Sequence, residues 1–165
     1  MTYIPKPQKK AQNLSLLFIL TGFALAMISE IFPYKFIFQL VAVALIGAGI
    51  QLLTRFVLTD FRYIIDDKDD GTADLIIYKR QGRREAKVCH VGMANVIEIF
   101  KKGEKNVPSN RRFNYCRNLT DDAWVVHLRD GEKTTEVWIE PNAAFLQVMQ
   151  ARAGIGDAGD SFVMN

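Results

Sequence analysis

Two long apolar stretches, followed by a series of short alternating ones, divide the chain. Leu14 to Phe32 carries no charge until Glu30, and Phe36 to Leu53 holds Gln39 and Gln51 as its only strongly polar side chains. A helix needs roughly 20 apolar residues to cross a hydrocarbon core of about 30 Å. Both runs have that length, and neither shows a charged stripe at helical period. They predict a transmembrane hairpin over 14–58, with helices over about 14–32 and 34–58. Pro33 lacks an amide hydrogen and disfavours helix at Phe32, which suits a turn between them.

Small residues recur in both runs. Gly22 and Ala26 form a small-xxx-small pair in the first, and Gly47 lies among Ala42, Ala44, Ala48 and Gly49 in the second. Gly22, Ala26 and Gly47 are therefore expected at the helix–helix contact, within the hairpin rather than between two copies. Ala24-Leu25-Ala26 imitates a signal-peptide cleavage site, but the apolar run continues through Ile28 and a second follows, so retention is expected. Residues 1–13, with Pro5, Pro7 and three lysines, read as a flexible arm.

Beyond Thr59 the period changes to two. Strands are expected over Phe61–Asp66, Thr72–Tyr78, Glu85–Val91, Met93–Phe100 (opening with a helical turn), Arg111–Arg117, Trp124–Arg129 and Thr134–Ile139. On the third, Ala86, Val88 and His90 share one face, and Lys87, Cys89 and Val91 the other. Asp130-Gly131 is a hairpin-turn signal, since both residues tolerate positive φ. Asp67 to Gly71 reads as a solvated turn, because a calcium loop of the EF-hand type is longer and ends in a glutamate. A helix over about 142–153 places Phe145, Val148, Met149 and Arg152 on one stripe. The domain spans 59–153, and 154–165 is expected to be a flexible tail.

Charge changes this picture in two ways. Lys6, Lys9 and Lys10 precede the first span and Arg55 and Arg62 follow the second, whereas Lys35 at the turn is offset by Glu30. The positive-inside rule then places the chain in the cell inner (plasma) membrane as a multi-pass protein with both termini cytoplasmic. Of the net charge of +3 over 165 residues, the first 58 carry +4, five cations against Glu30, which leaves the following domain at −1. That is not the balance of a nucleic-acid binder.

The remaining cations form two groups. Lys79, Arg80, Arg83 and Arg84 occupy one turn, and Lys101, Lys102, Lys105, Arg111 and Arg112 a second segment. Both are candidate contacts for an anionic phospholipid headgroup or a protein partner, set against their role as solvated turns that keep edge strands soluble. Cys89 and Cys116 are expected as free thiols in a reducing compartment. With His90 and His127 they lack the spacing of a structural zinc site, so no metal and no cofactor is expected. No nucleophile elbow, phosphate loop, HExxH or helically spaced carboxylate pair is present, and no catalytic residue is assigned. Gln39 and Gln51 lie about 120° apart around an ideal helix and do not line a transport path.

Three stretches carry a resemblance: Val91-Gly92-Met93-Ala94-Asn95-Val96-Ile97-Glu98-Ile99, then Val125 to Gly131, then Val137 to Leu146. With the order of about seven strands and one closing helix, the chain resembles bacterial pleckstrin-homology-like (PH-like) membrane proteins, which place a two-helix hairpin before the domain. The resemblance implies a membrane-anchored α+β protein with two packed sheets capped by a C-terminal helix. The Lys101–Arg112 segment is longer than the connection it implies there. The expected function is non-enzymatic: an integral-membrane scaffold docking a protein partner or forming a homo-oligomer at the cytoplasmic face.

Overall fold

The computed structural model describes residues 1–7, 9–31, 33–119 and 122–155, which form two compact bodies. One is helical and comprises Lys6–Asp60 with Arg117–Leu119. The other is β-rich and takes in Met1–Pro5, Phe61–Cys116 and the described residues from Asp122 onward.

The helical body contains α1, Lys9–Ile28, and α2, Lys35–Leu52. A 3₁₀ turn over Ser29–Ile31 ends the first, and a π turn over Leu53–Val57 extends the second. Including these turns, both helical segments are long and apolar enough to cross a membrane. The first begins five residues earlier than the hydrophobic run because Lys9 and Lys10 are good helix formers and only polarity, not helix propensity, ends the apolar stretch there. Few side chains are buried: Ala11, Ser15, Gly22 and Ser29 on the first segment, Ala42 and Gly49 on the second. Ser15, Gly22 and Ser29 are seven residues apart, as are Ala42 and Gly49, which is the period of a coiled-coil seam. The large side chains point away from it, with Leu20 65% and Phe36 78% exposed.

The β-rich body holds two four-stranded sheets and a helix. The first sheet runs in the order β1 (Thr2–Tyr3), β2 (Thr59–Asp67), β3 (Ala73–Gln81), β4 (Arg84–Gly92). The second runs β5 (Val96–Lys101), β7 (Trp124–Asp130), β8 (Lys133–Ile139), β6 (Arg111–Asn114). The core lies between the sheets and under α3 (Ala143–Arg152), where Tyr63, Ile65, Leu75, Ile77, Val126, Val137, Ile139, Phe145 and Met149 form one cluster. Phe145 and Met149 are fully buried. Each contributes about 1.5–3 kcal/mol by leaving water. Asn142 caps α3 by accepting from the Phe145 amide at 2.8 Å, an interaction of about 1 kcal/mol. At the other end Gly154 takes φ +67°, and the Ile155 amide reaches the Gln150 carbonyl at 3.0 Å, which closes the helix in a Schellman motif.

Several expectations change. The first residues are not a flexible arm: Thr2 and Tyr3 pair with Ile64 and Tyr63, and the terminal ammonium donates to the Ile65 carbonyl at 2.6 Å. The tail does not begin at Gly154, because Ile155 packs against the core; 156–165 lie outside the described residues. The regular alternation expected for β4 is broken by a bulge between Ile77 and Tyr78, opposite Cys89 and Lys87. Val88, Cys89 and Val91 consequently all reach the core. The hairpin loop is Gly131-Glu132, closed by the Asp130–Lys133 pair, and Gly131 alone takes positive φ.

The largest departure is β6. It is shorter than the Arg111–Arg117 strand expected and pairs parallel with β8, Arg111 opposite Thr135 through Asn114 opposite Trp138. The chain reaches that far edge through residues 102–110. Asn110 then docks on Thr134: its amide donates to the Thr134 carbonyl at 3.0 Å, and its side-chain oxygen accepts from the Thr134 amide at 3.1 Å. These bonds start β6 beside the start of β8, so the two run the same way.

Candidate functional site

Within the helical body, Gly22 is at the contact, as its spacing suggests. A Cβ there would lie 2.7 Å from Ile46 Cγ1 and 2.9 Å from the Ala42 carbonyl. Ala26 is half-buried beside it. Gly47 is not: nothing lies within 4 Å of the place its Cβ would take. Gly49, two residues on, holds that position, with Ile19 Cγ1 at 2.6 Å and the Ser15 carbonyl at 3.0 Å. Two residues turn a helix through about 200°, so Gly47 faces the opposite way.

The two basic groups differ in their surroundings. Lys79, Arg80, Arg83 and Arg84 cluster at the tip of the β3–β4 hairpin, where Gly82 turns with φ +59°. Arg80 Nε donates to the Gly82 carbonyl at 3.3 Å. Glu85 is drawn away by Arg62 at 2.8 Å. Lys79, Arg83 and Arg84 make no ion pair among the described residues.

The second group is largely neutralised. Lys101 meets Asp122 at 2.9 Å, Lys105 meets Glu98 at 2.9 Å, and Arg112 Nε meets Glu136 at 3.1 Å. Lys102 lies over the Trp138 ring, 5.2 Å from its centre. Arg111 alone of the five turns to the other side of β6. This group is therefore not a positive patch: its ion pairs tie Lys101 to Asp122, Lys105 to β5, and β6 to β8. Residues 102–106, Arg112 and Glu136 line a cleft of about 300 Å³ with Phe100, Val125 and Trp138. His127, beside it on β7, is 5% exposed, and neither ring nitrogen has a partner among the described residues. It stands in register between Glu98 and Glu136.

A second cleft, also of about 300 Å³, opens between the sheets. Val88 to Gly92 of β4 line one side, and Arg111, Phe113 and Tyr115 the other, with Leu128 and Val137 between. Tyr115 joins the sides by donating its hydroxyl to the Val88 carbonyl at 3.0 Å. Behind β4, the nearly buried Asp74 accepts from His90 Nε2 at 2.7 Å and from Lys68 at 2.9 Å. The Lys68 ammonium, and after it His90, hold the Asp74 carboxyl below its ordinary range. Burial pushes the Cys89 thiol up to about 11, so it stays protonated at neutral pH. Among the described residues no three histidine, cysteine or acidic side chains are placed to hold a metal ion. Sequence reading missed this cleft because its sides are twenty residues apart and meet only through the parallel placement of β6.

No family model matches the chain, and neither a curated protein nor a solved structure is similar enough to count as a match.

Proposed function

We propose that the chain is an integral-membrane, non-enzymatic interaction module that displays a PH-like domain at the cytoplasmic face and docks a protein partner there. One observation carries the reading: a helical pair whose seam buries only small residues and whose outward side chains are large and apolar. Such a surface is far larger than a soluble protein leaves to water, and lipid is the solvent it matches. Two further features support the topology. Met1–Pro5 and Phe61–Cys116 belong to one body, so the chain leaves that body and returns to it, as a two-span hairpin requires. At the far turn Lys35 is paired with Glu30 at 3.5 Å, so the turn lacks the excess of positive charge that would favour the cytoplasmic side. Two sheets with a helix packed on their core support the PH-like reading, and parallel β6 departs from it.

Membrane insertion and sidedness are tested together on the full chain. Carbonate extraction should leave it in the membrane pellet; release would overturn insertion. Cys89 is half-buried and Cys116 buried, so both make poor reporters. In a C89A/C116A background, E132C on the exposed β7–β8 loop should react with an impermeant maleimide only after permeabilisation. Labelling of intact cells would place the domain outside. Docking is tested by capture in mild detergent, where a reproducible partner is expected and its absence counts against the reading.

A second reading, anionic headgroup binding, rests on the hairpin tip with Lys79, Arg83 and Arg84 unpaired. Each cation near an anionic surface contributes about 1 kcal/mol. The full chain in phosphatidylcholine nanodiscs should tether phosphatidylglycerol vesicles, and R83E/R84E should abolish tethering. Equal tethering by the variant removes this reading.

A further inference from the structure

Each sheet presents an edge strand at the same cleft. β4 is the last strand of the first sheet and β6 the last of the second. Among the described residues no backbone–backbone hydrogen bond joins β4 to anything but β3, and across the cleft only the Val88 carbonyl is taken, by the Tyr115 hydroxyl. An open edge offers amides and carbonyls at strand spacing and is a template for another chain. Over Cys89–Gly92 that edge lies beside an apolar floor, Leu128 and Val137, and beside Phe113, which is 41% exposed and stacked on Tyr115 with ring centres 6.1 Å apart. Two cations complete the lining, Arg111 and Arg129, and neither makes an ion pair among the described residues. Asp130 is the nearby acid and engages neither of them.

From this juxtaposition we infer that the cleft receives an extended acidic segment of a partner protein, which adds as a strand to the β4 edge. The inference rests on the docking reading above and names the partner's chemistry. Alternate residues of an added strand point to opposite faces. One set, apolar, meets Leu128, Val137 and Phe113; a carboxylate in the other set meets Arg111 and Arg129 in charge-assisted, bidentate fashion. Main-chain bonds supply affinity and the side chains supply selection, as in other strand-addition complexes. The charge argument also chooses among occupants. Two copies paired edge to edge would set the same arginines against each other. A lipid headgroup has no repeating donors and acceptors for the strand edge.

The test is photo-crosslinking of the full chain in cells, with p-benzoylphenylalanine placed in turn at Phe113, at Arg83 and at Glu132. The expected result is a Phe113 adduct whose mapped peptide is an acidic stretch of another protein. R111E/R129E should reduce its yield about tenfold, the loss expected for an interaction of about 1.4 kcal/mol. R111Q/R129Q should reduce it less, and circular dichroism should show an unchanged fold for both. Adducts at Arg83 or Glu132 with none at Phe113 overturn the cleft as the site while leaving docking intact. A Phe113 adduct to lipid, to a second copy or to a non-acidic segment, or one indifferent to both arginine variants, overturns the proposed occupant. No protein adduct at any position overturns the docking reading itself.

Discussion

The Ser15 hydroxyl donates to the Gly49 carbonyl at 2.8 Å, joining two helices across 34 residues of sequence. The bond is possible because Gly49 has no side chain to hold the backbones apart. On the membrane reading proposed above the hydroxyl has few other partners, and such interhelical bonds add to the packing of small residues.

Substitution at the seam should follow from this contact. Gly49→Val and Gly22→Val force a branched side chain against carbonyl oxygens and isoleucine, at a cost of about 1–3 kcal/mol. Gly47→Val meets open space and should change stability by less than about 0.5 kcal/mol. Thermal unfolding in detergent, followed by circular dichroism, distinguishes them. Equal losses at Gly47 and Gly49 would mean the helices meet on another face.

Asp74 makes stability depend on pH with a definite sign. Its carboxyl is held below the ordinary 3.8 by Lys68 and then His90. The stabilisation is therefore present above 3.8 and is lost as pH falls through the lower folded value. Lys68 is raised above 10.5 chiefly by Asp74, so its share is complete below 10.5 and lost as pH rises through the higher folded value. Asp74→Asn should be less stable than the parent in urea unfolding at pH 7, and the gap should narrow as pH falls below 3.8. A gap that persists there would show that the carboxylate's charge is not what matters.

The two basic groups should separate by stability. Glu136 is 5% exposed, and Trp138 Nε1 also donates to it at 3.3 Å. Arg112→Ala removes its charged partner and should cost about 1–3 kcal/mol. Arg83→Ala, at a solvated tip, should stay within about 0.5 kcal/mol. Denaturant unfolding of both variants checks this, and a stable Arg112→Ala would show that the pairing of β6 with β8 holds without this ion pair.

His127 offers a gain. Its ring is buried with neither nitrogen partnered among the described residues, next to apolar Val125. Replacing such a group by an apolar one of similar size removes a desolvation cost of about 1–3 kcal/mol. His127→Leu should therefore raise the melting temperature. A fall would indicate that the imidazole is held by its flanking glutamates, Glu98 and Glu136.

Patterns of two and 3.6 residues are local, and they were legible. The apolar runs marked both helices. The alternation of Thr72–Tyr78 and of Trp124–Ile139 marked β3, β7 and β8, and Phe145 with Met149 marked the buried side of α3. Each of these depends on side chains within a few positions of one another, so nothing distant is needed to read them.

What tertiary structure alone decided lies in pairings between remote residues. Thr2 and Tyr3 are too short a run to carry a period, and only Tyr63 and Ile64 make them a strand. Gly47 and Gly49 are the same residue type two positions apart, and the rotation of the partner helix selects one of them. Lys101, Lys105 and Arg112 look like a free basic patch until Asp122, Glu98 and Glu136 are brought beside them. The cleft exists because Asn110 docks on Thr134 and sends β6 parallel to β8, so that β6 and the residues just after it stand across from β4. Composition and periodicity determine which segments are helix and strand; hydrogen bonds between distant segments determine which edges stay open and which charges stay unpaired.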